Sequence, residues 1–222
     1  MIHLTLNSPT SKAQSLELPL SKSILNRELI LVALSGGNLA FDDSLWPLDA
    51  QLLLKALASS ANRIDLGHAG TAMRFSLAYF SLQTAQVTLT GSERMKQRPI
   101  GILGTALRTL GSSIDYLEQD GFPPIRVEGK SNLGGSVQIS GEVSSQYISA
   151  LLLCGASMNK GLKLHIDGIL TSAPYVALTC DILSKWGVHV DQSDSTFHIA
   201  KQPLAVRELS LELDWSAAAF IY

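Results

Sequence analysis

Three stretches of this 222-residue chain share one order of signals, and that repetition limits the folds open to it more than any other feature. Each opens on small or polar residues directly before an apolar run: Ser21-Lys22-Ser23 before 24–34, Gly70-Thr71 before 72–82, and Ser144-Ser145-Gln146 before 147–158. The runs have helix length and most are apolar nearly all round, so they predict helices buried within the fold. A strand-and-turn segment follows, and then a proline starts a second helical pattern. In the second copy the strand and turn are 87–91 and the helix 99–110, closed by Gly111; in the third they are 162–166 and 174–186, closed by Gly187. The first copy has Pro47 and a helix over 49–58.

After each closing glycine the apolar period becomes two, over 113–117 and 124–127, and again over 188–190 and 196–199. With the strand before each opening helix, the unit reads βαβαββ. The first copy is shortened, because only 59–66 separates its second helix from Gly67. The expected fold is α/β (α+β): one lobe built of three βαβαββ units with pseudo-threefold symmetry. A fourth opening appears in a strand at 211–213 and in Asp214-Trp215-Ser216-Ala217. A two-turn helix ending in Phe220-Ile221-Tyr222 would expose apolar surface, so the natural protein is expected to continue.

Composition narrows the function classes. With 46% hydrophobic and 16% charged residues, the chain can bury a core without disulfide or metal. Cys154 and Cys180 lie in apolar runs and read as small buried hydrophobes of a reducing compartment. The N-terminus lacks a secretory pattern and no apolar run reaches membrane-span length, so a cytoplasmic location without a membrane partner is expected. A net charge of −2 offers no footprint for nucleic acid. Locally, Arg94, Lys96 and Arg98 carry only Glu93 beside them, which predicts one basic region. His3, His68, His165, His189 and His198 lack metal-ligand spacing, and no phosphate loop of the Gly-Lys-Ser/Thr kind is present. Trp46, Trp186 and Trp215 read as packing residues.

The chemistry is expected at the helix starts, where unpaired N–H groups and a partial positive charge favour an anion. Ser23 and Arg27 share one helix face, Lys22 stands just before them, and polar residues give way to apolar ones after Leu29. Cations at an N-terminus reverse the usual placement and argue for a bound anion; the competing reading makes Lys22 and Arg27 solvated surface charges. Arg74 follows Gly70-Thr71, and Arg98 precedes Pro99 at another helix start. Gly70 either admits a ligand close to the backbone or serves a turn. Ser144, Ser145 and Gln146 offer ligand groups or helix caps. Ser172 and Tyr175, around Pro174, read as ligands or as capping and core-filling residues. Among the histidines only His68, two residues before Gly70, is near these positions.

Five ordered motifs then become specific: Leu20-Ser21-Lys22-Ser23 with Asn26-Arg27, Ala69-Gly70-Thr71-Ala72-Met73-Arg74, Arg94-Met95-Lys96-Gln97-Arg98-Pro99-Ile100-Gly101, Val143-Ser144-Ser145-Gln146, and Ser172 with Pro174-Tyr175. In this order they resemble the EPSP synthase (3-phosphoshikimate 1-carboxyvinyltransferase) family, from about residue 18 to the end, over the N-terminal half or slightly more of its full chain. The resemblance implies transfer of the carboxyvinyl group of phosphoenolpyruvate to the 5-hydroxyl of 3-phosphoshikimate, with no cofactor and no metal. It implies that Lys22, Ser23, Arg27, Ser144, Ser145, Gln146, Ser172 and Tyr175 hold phosphoshikimate. Lys22, Gly70, Arg98 and Gln146 would hold phosphoenolpyruvate, with Thr71, Arg74 and His68 beside them.

The same resemblance assigns the catalytic acid/base Asp and Lys groups to a second half, leaving none in this fragment, which is expected to bind without turnover. Residues 1–17 would be leading strands of a second lobe, 18–208 the repeated lobe, and 209–222 the start of the second; the full-length enzyme would be a monomer and a glyphosate target. His68 stands where the family usually carries Asn and Phe75 where it often carries Pro, while the retained Gly70 implies some glyphosate sensitivity. Two other readings remain. A UDP-N-acetylglucosamine carboxyvinyltransferase would carry Lys-Asn at the first helix and a reactive loop cysteine, and a non-catalytic anion-binding lobe would keep the fold alone.

Overall fold

The three apolar runs form three helices that pack on one another at the centre of the molecule, and the sheets lie outside them. The computed structural model describes residues 3–6 and 14–219; parts of the leading segment (1–2 and 7–13) and the end of the fourth opening (220–222) lie outside the described residues. A leading ribbon pairs β1 (His3–Leu6) antiparallel with β2 (Gln14–Glu17). The first unit then supplies α1 (Lys22–Leu34) and α2 (Leu48–Leu57).

The second unit runs β3 (Arg63–Asp65), α3 (Gly70–Phe80), β4 (Gln86–Thr90), the single turn α4 (Glu93–Lys96), α5 (Gly101–Thr109), β5 (Ser113–Tyr116) and β6 (Ile125–Glu128). The third runs β7 (Gly135–Ser140), α6 (Ser145–Gly155), β8 (Leu162–Asp167), α7 (Ala173–Lys185), β9 (Asp191–Ser193) and β10 (Thr196–Ile199), and a last turn α8 spans Trp215–Ala218.

The two four-stranded sheets have one topology. Their orders are β3-β4-β6-β5 and β7-β8-β10-β9, with the first pair parallel and the others antiparallel. The parallel pair requires a crossover, and α3 and α6 supply it. Strand β8 alternates Leu164 and Ile166 into the core with Lys163 and His165 outward, as the pleat dictates. The first unit is reduced: among the described residues its two helices carry no sheet of their own, and the segment after α2 yields only β3, which joins the second sheet.

Helices α1, α3 and α6 each touch the other two, α2 packs against α1 and α3, and α7 packs against α6 and α1. Their contact faces hold Leu29, Ala72, Leu77, Ile148 and Leu151 with almost no exposure. Burying a leucine or isoleucine side chain is worth about 1.5–3 kcal/mol, so this trihelical centre is the main apolar term of the fold. Gly111 at φ 110° and Gly187 at φ 79° close α5 and α7 in the left-handed region that favours glycine.

Several expectations are corrected. The strand expected over 188–190 is instead β9 (Asp191–Ser193), because a tight turn with Asp194 at φ 49° sets the hairpin register against β10. All three β9 residues are exposed, so no apolar alternation marks them. Helix α5 begins at Gly101, two residues after Pro99, since Ile100 is its cap at φ −136°. The segment 211–213 makes a single bridge, Leu20 to Leu213, flanked by Ser21 N–H to Glu212 O and Asp214 N–H to Pro19 O at 2.8 Å each. Trp46 and Trp186 are buried as expected, but Trp215 is 58% exposed. Both cysteines are free; Cys154 is fully buried in α6, which pushes its thiol up to about 12, and Cys180 is half-buried in α7. No helix among the described residues is long and apolar enough to cross a membrane.

One buried carboxyl lies against the approach to the Leu213 bridge. Glu28 of α1 accepts the Trp186 indole N–H at 2.8 Å, and the backbone N–H of Ser210 lies near enough to favour its charged form. Burial raises its pKa above the ordinary 4.5, against the opposing pull of Trp186, Ser210 and Lys185. A raised carboxyl contributes stability below its ordinary value and loses it as pH climbs through the raised one. The stability difference between Glu28→Gln and wild type should therefore move in favour of the variant as pH rises from about 4 to 7. Urea midpoints across that range check it, and a constant difference would count against it.

Candidate anion-binding site

The N-terminal ends of the long helices are tied together by side chains, so they lie on one side of the lobe. Arg27 makes the most extensive tie. Its Nε donates to Thr179 Oγ1 at 2.8 Å, Nη1 to the Ser23 carbonyl at 2.7 Å, and Nη2 to Ser149 Oγ at 3.1 Å and the Tyr175 carbonyl at 3.3 Å. Its guanidinium carbon also lies 5.7 Å from the centre of the Phe75 ring. One side chain thus joins α1, α3, α6 and α7. Arg27 is only 3% exposed, which overturns the solvated-surface reading, and burial lowers its pKa to about 10, leaving it charged at neutral pH.

Lys22 keeps the exposed role: its side chain is 48% accessible, and Nζ stands 3.9 Å from Asp49 Oδ2 in the first turn of α2. Ser23 contributes its carbonyl to Arg27. The α3 and α6 starts are joined by the Gln146 amide, whose Nε2 donates to Thr71 Oγ1 at 3.0 Å. Ser144 is the α6 cap, accepting weakly from the Gln146 N–H at 3.4 Å, and Ser145 is buried beside it. Ser172 occupies the cap position of α7 without a side-chain cap bond, so capping does not occupy its hydroxyl. Tyr175 is half-exposed, which removes the core-filling alternative for its ring.

Gly70 and Arg98 form the opposite corner. A Cβ on Gly70 would lie 2.6 Å from Arg98 Nη2 and 2.7 Å from Cζ, so the guanidinium rests directly on the glycine. Arg98 also reaches the His68 carbonyl at 3.5 Å, and the His68 ring pairs through Nδ1 with Ser92 Oγ at 2.7 Å. His68, Arg94, Met95 and Arg98 line a hollow of about 410 Å³. The basic region expected over 94–98 is smaller than its sequence, because Lys96 is paired with Glu93 at 3.2 Å and Glu118 at 3.4 Å. Arg74 turns inward: its N–H groups reach the carbonyls of Gly70 and Pro99, and burial lowers its pKa.

The electrostatics follow from what the first turns lack. Among the helices longer than one turn, α1, α3, α5, α6 and α7 carry no acidic residue there and α2 has one, Asp49; the single turn α4 opens on Glu93. Acidic residues normally occupy such positions to meet the helix dipole, so the positive potential of these ends is not offset within their own first turns. Asp49, Ser149, Thr179 and Tyr147 were not singled out from the sequence. A lone polar residue inside an apolar helical run, as with Ser149 and Thr179, is the signal that could have found two of them.

Two outcomes are expected. Arg27→Ala removes four hydrogen bonds and leaves a cavity, and should lower unfolding stability by about 2–4 kcal/mol in urea titrations. Gly70→Ala displaces only the flexible end of Arg98, so stability should change by less than about 1 kcal/mol while phosphate-type anions bind more weakly at this corner by calorimetry.

Known proteins match this chain in sequence and fold. The sequence profile of EPSP synthase (3-phosphoshikimate 1-carboxyvinyltransferase) matches residues 55–222. The 3-phosphoshikimate 1-carboxyvinyltransferase of Bacteroides fragilis strain YCH46 is 44% identical over 98% of this chain and 53% of its own. That of Erwinia tasmaniensis is 37% identical over 93% of this chain and 55% of its own. The solved EPSP synthase of Acinetobacter baumannii superposes with a TM-score of 0.75 at 21% identity, over 92% of this chain and 51% of its own, and so shares the fold. The chain spans about half the length of these relatives. Motifs, lobe topology and family profile agree: the chain belongs to the EPSP synthase family.

Proposed function

We propose that this chain is the phosphoshikimate-binding lobe of a 3-phosphoshikimate 1-carboxyvinyltransferase. The whole enzyme would move the carboxyvinyl group of phosphoenolpyruvate to the 5-hydroxyl of 3-phosphoshikimate and release phosphate. The observation that carries this reading is the set of linked helix starts without carboxylates of their own, with Lys22 and Arg98 outward at the rim. The reaction must bring two multiply charged anions to bonding distance. Unit charges about 4 Å apart repel by about 4 kcal/mol at an effective dielectric near 20, and helix ends with cations offset that term.

In this reading Lys22 contacts both substrates. Ser23, Arg27, Ser144, Ser145, Gln146, Ser172 and Tyr175 form the phosphoshikimate side; Gly70, Arg98 and Gln146 form the phosphoenolpyruvate side, flanked by Thr71, Arg74 and His68. Residues 18–208 make the lobe, and the paired crossing segments at Pro19–Ser21 and Glu212–Asp214 lead to a second lobe that carries the acid/base groups. Holding both anions in register would then make the transfer effectively unimolecular. The burial of Cys154 in α6 and the position of Cys180 within α7 disfavour the UDP-N-acetylglucosamine enzyme, which needs a reactive loop cysteine.

Calorimetry with shikimate 3-phosphate should give saturable binding to the 222-residue chain. Lys22→Ala, at an exposed side chain, should weaken it by about tenfold or more without shifting the melting temperature, in line with a charge-assisted contact of about 1.5–3 kcal/mol. The chain alone should release no phosphate from phosphoenolpyruvate and shikimate 3-phosphate, and steady-state turnover by it would sink the lobe assignment. The full-length protein, acting as a monomer, should retain glyphosate sensitivity because Gly70 and Arg98 are in place; an active enzyme untouched by saturating glyphosate would contradict this.

A further inference from the structure

The Pro99 carbonyl accepts two side-chain hydrogen bonds from two different helices. Tyr147 of α6 donates its O–H at 2.7 Å, and Arg74 of α3 donates Nη2 at 3.1 Å. Arg74 also donates Nη1 to the Gly70 carbonyl at 2.9 Å, and its guanidinium carbon lies 5.8 Å from the centre of the Tyr147 ring. Both side chains are 5% exposed, so neither presents its charge or hydroxyl to solvent. Two buried donors on one carbonyl are more than satisfying that oxygen requires, and they reach it from the α3 and α6 helices of the central bundle.

Pro99 is the residue immediately after Arg98, and its ring fixes its own φ near −65°. Holding its carbonyl fixes ψ as well, and the residue before a proline is itself confined to extended conformations. The direction in which the chain leaves Arg98 is then set by α3 and α6 rather than by the local loop. Further anchors complete the frame: Arg98 N–H donates to the Met95 carbonyl at 3.0 Å, and Ile100 N–H to the Gly121 carbonyl at 2.9 Å.

We propose that Tyr147, together with Arg74, is the positioning device of Arg98, holding its backbone so that the guanidinium lies over Gly70 ready for an anion. Tyr147 acts through the Pro99 carbonyl and does not touch the anion. Arg74 spans Gly70 O and Pro99 O and keeps the two sides of that contact at one spacing. This inference rests on the reading of Arg98 as the residue that holds phosphoenolpyruvate.

The test uses the 222-residue chain with Tyr147→Phe, which keeps the ring and its stacking on Arg74 and removes only the O–H, and Pro99→Ala, which frees φ. The Nε–Hε signal of Arg98, identified by its loss in Arg98→Lys, is followed by nitrogen-15 relaxation, with the Arg27 signal as internal reference. In either folded variant the order of Arg98 should fall while that of Arg27 stays, and phosphoenolpyruvate should bind about three- to tenfold more weakly with shikimate 3-phosphate affinity unchanged. Unaltered Arg98 relaxation in both variants would overturn the proposal. A wild-type chain that binds neither substrate would overturn the substrate reading instead, and the relaxation comparison would still decide the positioning role.

Discussion

A full positive charge buried among neutral partners holds this lobe together. The Arg27 guanidinium is surrounded by two hydroxyls, two backbone carbonyls and an aromatic ring, and none of the hydrogen bonds found for it ends on a carboxylate. These charge-assisted hydrogen bonds offset the desolvation of the cation, which is what makes its burial tolerable. An Asp or Glu at the place of Ser149 or Thr179 would form a stronger local pair. It would also cancel the field at the helix starts. With neutral partners, the same side chain sets α1, α6 and α7 level with one another and leaves its charge to act on whatever lies beyond their first turns.

The two buried arginines solve one problem in one way. Arg27 and Arg74 each fold back onto the carbonyl four residues earlier in their own helix, Ser23 and Gly70, and then reach across to a neighbouring element. Those back-bonds use up donors that would otherwise lie unpaired in the core. The cations at the rim, Lys22 and Arg98, are left free of such duty, apart from one long contact to Asp49 and one to the His68 carbonyl. The inner cations thus tie elements of the fold together, while the outer pair stays at least partly exposed.

The reduced first unit shows how the repeat can lose a sheet without losing the bundle. Its α2 lies between α1 and α3, and its flank is closed by Trp46 and Phe41, whose rings meet at 5.6 Å. On that side the segments at Leu20 and Leu213 run together, and Glu28, held by Trp186, lies against the approach to the second of them. The apolar centre is served by three inner helices whichever unit they come from, whereas the outer sheets only cover them.

The sequence by itself determined the three inner helices, the proline starts and glycine ends of their partners, the family, and the residue types gathered at the helix starts, because each of these is written in local periodicity, capping chemistry and short motifs. It did not reveal the polar strand β9, whose place follows from a hairpin turn and whose side chains all face solvent, or the exposure of Trp215. Nor could it separate Arg27 and Arg74 from Lys22 and Arg98. All four are cations near helix starts, and only their partners 25 to 152 residues away, such as Pro99 and Thr179, decide which are buried. Tertiary packing made that division, since the energy of a charged side chain depends on the dipoles brought around it and not on its neighbours in the chain.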